Sequence, residues 1–211
     1  MASFKLFNNF NTKKKIALIA LVILALLLLL GNYNREAIKY YLSGVDDRIA
    51  LLKSSGSCVS CDLNQGNFKG IDLKGVDLRY ANLSGTILSN TNLSGADLSG
   101  ANLSNTNLSG TILSNTNLSG ADLSGANLSN TNLSGTILSN TNLSGADLSG
   151  VDLRNKDLTG SNLTGVDLRH IDLTGANLTG VNLSNQDLTG TKLSDGANLN
   201  YTNLSGADLS G

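Results

Sequence analysis

Proline and tryptophan are absent from this chain of 211 residues, and aromatic side chains make up only 4% of it. So few large side chains exclude an ordinary globular core of that length, and burial has to come from many small, repeated contributions. Two cysteines and one histidine leave too few ligands for a four-coordinate metal centre, and no metal or cofactor is expected. From residue 57 onward Lys and Arg are scattered singly, which gives nucleic-acid binding through a basic patch no support. Nor is there a Ser-His-Asp set, a paired Glu, or a phosphate loop leading into a helix, so the chain does not read as an enzyme. The G-G-x-G-x-D nonapeptide of calcium-binding rolls is missing too. The formal net charge of −1 hides two unlike parts. Residues 1–56 carry eight Lys/Arg against three acids, and the remainder carries thirteen Asp against seven Lys/Arg.

What is present begins with a basic segment, residues 1–15, holding Lys5 and the run Lys13, Lys14, Lys15. An unbroken apolar stretch follows, Ile16 to Leu30, and it reads as a membrane-targeting helix. At 1.5 Å per residue it spans about 23 Å, short of the roughly 30 Å hydrocarbon core. Gly31 to Tyr33 and snorkelling lysines would complete the crossing, giving an anchor over 16–33. The rival reading is a cleaved signal peptide, with secretion after cleavage. It is weakened by the lack of an A-x-A-like site, Gly31 being the only small residue between Ala25 and Asn32. The lysines on the amino-terminal side keep that end in the cytoplasm. Under either reading everything from Asn32 onward is expected outside it, whether periplasmic, lumenal or extracellular.

Residues 34–56 read as a helical linker and cap. Ile38, Tyr41, Leu42, Val45, Ile49 and Leu52 recur at spacings of three and four, the period of an amphipathic helix. Gly44 divides it, Ser43 with Asp46 has the capping-box form, and the run from Ser54 to Ser57 ends it.

From 57 to 211 the unit is the pentad. A 25-residue block, ANLSNTNLSGTILSNTNLSGADLSG, stands twice without change from Ala101 to Gly150, and a leucine recurs at every fifth position from Leu63 to Leu193, Phe68 being the one replacement. On a helix, leucines at that spacing step around the cylinder and form no single stripe; in a flat strand an odd spacing sends them to alternate faces. The pattern works when each pentad is one side of a coil. The leucine and the small or β-branched residue two places before it, such as Ala81, Thr86, Val151 or Ile171, then point inward, and the Asn or Asp between them points out. Two places after the leucine, 23 of the 27 pentads from Cys61 to Asp195 carry Gly or Asn, the residues that best tolerate the positive φ of a corner. The exceptions are Gln65, Tyr80, His170 and Asp195.

ANLSG at Ala81, ADLSG at Ala96 and their many near copies make this sequence resemble the pentapeptide-repeat family. The resemblance implies an all-β solenoid, a right-handed quadrilateral β-helix of four pentads per turn, about 7.5 coils and 36 Å long at roughly 4.8 Å per coil. It also implies pairing of two copies through the carboxyl-terminal coil. The function expected is that of a non-enzymatic structural or protein-interaction rod whose partner protein the sequence does not name. The alternative drawn from the family is a DNA-mimicking inhibitor or protector of a type II topoisomerase such as DNA gyrase, which the expected export opposes.

Several departures from the repeat carry expectations of their own. Cys58 and Cys61 stand where the coil begins, at a leucine-equivalent and a small inward position; in an exported protein they read as a structural disulfide, with paired buried thiols as the other reading. Lys156 and Gln186 fall on inward positions, where an outward bulge is expected to release them. The register slips by one residue between Leu193 and Leu199, absorbed at Asp195 and Gly196. Because the duplicated block is one and a quarter turns long, Ile87, Ile112 and Ile137 fall on three successive faces. Arg79, Arg154 and Arg169 also fall on three different faces, so no joint anion site is expected. His170 reads as a solvated corner, and the N-L-S and N-L-T triplets as products of the repeat rather than sugar acceptors.

Overall fold

The computed structural model describes Ile49, residues 52–193 and residues 196–209. The chain divides into two compact units, Met1–Ala50 and Leu51–Gly211, and the second carries every repeat. The expected anchor at 16–33 and most of the linker at 34–56 lie outside the described residues. Among the described residues no helix is long and apolar enough to cross a membrane. Residues 52–55 are helical, and the helix ends as its sequence requires. Gly56 adopts φ 66° and its N–H donates to the Leu52 carbonyl at 2.9 Å, a glycine closing the last turn in the left-handed region. Leu52 is fully buried beside the first coil's start.

From Ser57 the chain winds as a parallel coil: Ser57 bridges Asp77, Asp62 bridges Asn82, Asn67 bridges Ile87 and Asp72 bridges Asn92. Four pentads therefore make one turn, giving four faces. Face 1 carries Cys58 and then Leu78, Leu98 and so on, face 2 begins at Leu63, face 3 at Phe68 and face 4 at Leu73. Each corner is a tight turn in which the N–H three places after the leucine donates to the leucine carbonyl, as Gly66 does to Leu63 at 3.2 Å. The residue before that donor has φ > 0 at the described corners, including Gln65 (55°), Tyr80 (58°) and His170 (58°), as the type II geometry demands.

The outward Asn or Asp is selected by the same corner. Its Oδ1 accepts the N–H two places on, which the coil-to-coil ladder leaves free, as in Ser84 to Asn82 (3.2 Å) and Ser99 to Asp97 (3.0 Å). Inside, Leu83, Leu88, Leu93, Leu98 and Leu103 are fully buried. Inward threonines add a second bond between coils: the hydroxyls of Thr91, Thr111 and Thr116 donate to the carbonyls of Phe68, Leu88 and Leu93 at 2.8, 2.7 and 2.8 Å. A buried hydroxyl is thereby satisfied by the coil before it. Among the described residues, Thr131 alone has a buried Oγ1 with no partner.

Two expectations are settled differently. Neither Lys156 nor Gln186 is released by a bulge, because the 20-residue register runs straight past them, in Asn142↔Asn162 and Asp172↔Lys192. Gln186 stays inward and its Nε2 donates to the Leu163 carbonyl at 2.7 Å, taking the role of a threonine hydroxyl; Lys156 is half-buried. The slip is where it was expected, since Asp172↔Lys192 is spaced by 20 and Asn177↔Asn198 by 21. Gly196 takes φ 95°, while Asp195 lies outside the described residues.

Candidate interaction surface

The residues singled out by sequence do not converge. Cys58 is buried, Cys61 half-buried, and a disulfide joins them with their Cα atoms 5.4 Å apart. It spans the first corner, alongside the turn bond from Cys61 N–H to the Cys58 carbonyl. Arg79, Arg154 and Arg169 sit on faces 1, 4 and 3, and each forks onto the aspartate two places before it. In the Arg154 pair Nε and Nη2 donate to Asp152 at 2.9 and 2.7 Å; in the Arg79 pair the distances are 2.9 and 2.8 Å. A guanidinium so engaged is not offered to an external anion. The fork holds Asp152 and Asp167 at about 2, the arginine hydrogen bond being the main cause. Asp172 and Asp187 are lowered as well, chiefly by the hydroxyls of Thr174 and Thr189. His170 is an exposed corner residue. Among the described residues no group of His, Cys, Asp and Glu is placed to hold a metal ion.

The coil register sorts the surface in a way that the linear sequence does not display. Ile87, Ile112 and Ile137, each more than 40% exposed, fall on faces 3, 4 and 1. All seven Lys and Arg of the repeats, residues 69, 74, 79, 154, 156, 169 and 192, also miss face 2. What face 2 presents is Asp62, Asn82, Asn102, Asp122, Asn142, Asn162, Asn182 and Asn203, a single column whose bridges run unbroken from the first residue to the last. Amides along it bond from coil to coil: Asn82 to Asp62 at 3.0 Å, Asn142 to Asp122 at 2.9 Å and Asn162 to Asn142 at 3.1 Å. This is a nearly uncharged polar strip, its side chains bonded to one another at three of the seven steps between coils. Finding it requires the 20-residue period, after which the seven cations and three isoleucines mark it by avoidance.

The corners carry a second ordering. Asn105 lies over Gly125, where an added Cβ would come within 2.7 Å of its Oδ1, and Asn130 likewise covers Gly150 at 2.5 Å. Tyr80 covers Gly100 and His170 covers Gly190 in the same manner. A side chain at a corner leans toward the following coil, and glycine is what lets it lie there.

The family model for pentapeptide repeats matches in eight copies, over residues 57–95, 77–115, 91–130, 116–155, 157–195 and 195–211. No curated protein sequence matches the chain. Among solved structures, a pentapeptide repeat protein of Nostoc PCC 7120, alr5209, is 33% identical over 47% of this chain and 76% of its own, with a TM-score of 0.40. HetL of Nostoc sp. strain PCC 7120, described as involved in heterocyst differentiation regulation, is 28% identical over 76% and 93%, with a TM-score of 0.29. QnrB1, a plasmid-mediated fluoroquinolone resistance protein, is 21% identical over 73% and 82%, with a TM-score of 0.37.

Proposed function

The chain belongs to the pentapeptide-repeat family, and from that premise we propose that it works as a non-catalytic interaction rod, tethered to a membrane through Ile16 to Leu30 and exposed outside the cytoplasm. Face 2 is the observation that supports an interacting side. It is the one face free of cations and exposed isoleucine along the described coils, and the bonds that join its side chains at three steps hold them before any partner arrives, which lowers the entropic cost of binding. The Cys58–Cys61 disulfide serves on this reading as a clasp at the rod's membrane-proximal end. It closes a loop worth about 2 kcal/mol in the chain-entropy account, and it suits an oxidising compartment. Pairing of two copies through the carboxyl-terminal coil belongs to the same proposal, with Leu209, 56% exposed, as its apolar contact.

A photo-crosslinking residue placed in cells at Asn102 on face 2, and separately at Asn92 on face 4, tests the reading. Discrete adducts from Asn102 alone are expected; equal adducts from both positions, or none from either, contradict it. Protease protection of a carboxyl-terminal tag, with carbonate extraction of membranes, tests the tether: outside cleavage and carbonate resistance are expected, and a protected, extractable tag refutes it. The DNA-mimicking alternative draws on the column of Asp147, Asp167, Asp187 and Asp208 on face 3, although Arg169 forks onto one of its members. Inhibition of gyrase supercoiling by the purified repeats would favour that alternative.

A further inference from the structure

Among the described residues the ladder between coils fails in a pattern. Asp152 and Asp167 make no bridge, and none joins Asn132 to Asp152, Ile137 to Asp157, Asp147 to Asp167, Asp152 to Asp172 or Asp167 to Asp187, although each pair is in 20-residue register. The leucine amides lose their backbone bonds at the same places, while the corner amides of Asn140, Asn155 and His170 still donate to Thr159, Thr174 and Thr189 at 2.7, 2.9 and 3.0 Å. Leu133, Leu138, Leu148, Leu153 and Leu168 lack the N–H donation to the next coil that Leu93, Leu98, Leu108, Leu113 and Leu128 make at 2.7 to 3.0 Å. Between these gaps the ladder closes again, at Leu143 to Asn162 (2.8 Å) and Leu158 to Asn177 (2.9 Å).

Stacked like charge does not explain the set. Asp187↔Asp208 and Asp77↔Asp97 are closed, and two of the open pairs place Asn132 or Ile137, not an aspartate, against the acid. The inward residue of the following coil does explain it. At the open junctions that residue is Val151, Lys156, Val166, Ile171 or Gln186; at the closed ones around them it is Ser161, Ala176 or Thr191. The junction at Val181 keeps its bridge, Asn162↔Asn182, but loses its backbone bonds. Inward side chains lean back on a leucine carbonyl of the coil before, as Thr111 does on Leu88 and Ser161 on Leu138, both at 2.7 Å. A hydroxyl can approach that oxygen to hydrogen-bonding distance. A methyl group in the same place needs roughly 3.5 Å, so valine, with threonine's shape, holds the coils nearly 1 Å apart. Threonine is a clip and valine a prop; Gln186 reaches the Leu163 carbonyl at 2.7 Å and its junction is open all the same, so the rule is one for the apolar residues. Val76 also stands at a bridged junction, Ser57↔Asp77, and the residue 23 places before it is Lys53, in the helix at 52–55 rather than at a coil leucine.

We infer that the gap between coils 131–150 and 151–170 is a joint in the rod, which opens on faces 1, 3 and 4 and turns about face 2, where the Leu143 and Gly145 amides stay bonded to Asn162 and Thr164 at 2.8 and 2.9 Å. The core is less sealed at the first of these junctions: Thr131, Thr136 and Val151 are 6, 7 and 8% exposed, against 0% for Thr91 and Thr116. A joint of this kind lets one rod present two halves at a variable angle, with the continuous strip of face 2 on its inner line.

Spin labels on the full chain, with the Cys58–Cys61 disulfide kept oxidised, test this by dipolar distance measurement. One pair, Asn92→Cys with Lys192→Cys, reports face 4; the other, Asn82→Cys with Asn182→Cys, reports face 2. Both pairs span five coils, about 24 Å. Face 4 is expected to give the broader distribution, displaced to longer distances, and face 2 the narrow one. Val151→Thr, Val166→Thr and Ile171→Thr, each turning a prop into a clip, are expected to narrow face 4 to the width of face 2. Equal widths on both faces of the unsubstituted rod would overturn the joint, as would a face 4 distribution left broad by a folded triple variant. Should the triple variant not fold, the comparison in the unsubstituted rod decides alone.

Discussion

Coils 77–130 and coils 131–187 are written in the same pentad, yet only the first are sealed. In the first, inward positions hold alanine or threonine, every leucine amide is bonded to the following coil, and Leu83, Leu88, Leu93, Leu98 and Leu103 are 0% exposed. In the second, valine, isoleucine, lysine and glutamine stand at inward positions, and the leucine amide of the coil before loses its bond wherever they do. Cohesion in this fold is therefore set less by leucine, common to both regions, than by the small residue beside it. The 25-residue duplication uses only alanine and threonine there, so copying it extended the sealed stack without importing a prop.

Substitutions that carry one region's feature into the other sharpen this contrast. The largest effect is expected from Leu103→Ala, which leaves a cavity in a stack that cannot collapse, at about 4 kcal/mol by chemical denaturation. Leu133→Ala, beside an open junction, is expected to cost about 2 kcal/mol because the coils can close on the space. Equal costs would mean that the open ladder leaves the core no softer. Ala101→Ile places a prop in the sealed stack, with an expected loss of about 1–3 kcal/mol and new exchange at the Leu83 amide. Gly125→Ala, beneath Asn105, and Gly120→Ala, with nothing near it, both force alanine into φ > 0 at about 1–2 kcal/mol. Only the first is expected to recover part of its loss when combined with Asn105→Gly. Thr116→Val turns one clip into a prop, at about 1 kcal/mol in melting experiments. The smallest effect is acid sensitivity. Asp152 and Asp167 are held at about 2 by their arginines, below the ordinary carboxylate value, so their contribution is full above that ordinary value and is lost as pH falls toward 2. Arg154→Gln with Arg169→Gln should remove that part of the acid dependence and little else, because both pairs are exposed.

Most of the architecture was legible because a pentad period admits no helix and no flat strand. The inward leucine, the outward Asn or Asp and the positive-φ corner then follow from steric rules that act within one pentad. What was not legible depends on contacts between successive coils, a full turn apart in sequence. Sequence reading groups Thr86 with Val151 as small or β-branched inward residues, a fair class for volume and the wrong one for cohesion, since the two differ in how near they can come to a carbonyl oxygen. It sends Gln186 outward as a long polar side chain, whereas the Leu163 carbonyl is within its reach. The uncharged strip of face 2 is likewise invisible until the chain is folded at four pentads per turn.

The most direct measurement is residue-resolved amide exchange across the whole rod. The account predicts an alternation: strong protection at Leu93, Leu98, Leu113 and Leu128, fast exchange at Leu133, Leu138, Leu148, Leu153 and Leu168, and restored protection at Leu143 and Leu158 between them. Uniform protection from Leu93 to Leu168, or a smooth decline through Leu143 and Leu158, would contradict the claim that the inward residue decides where this coil holds.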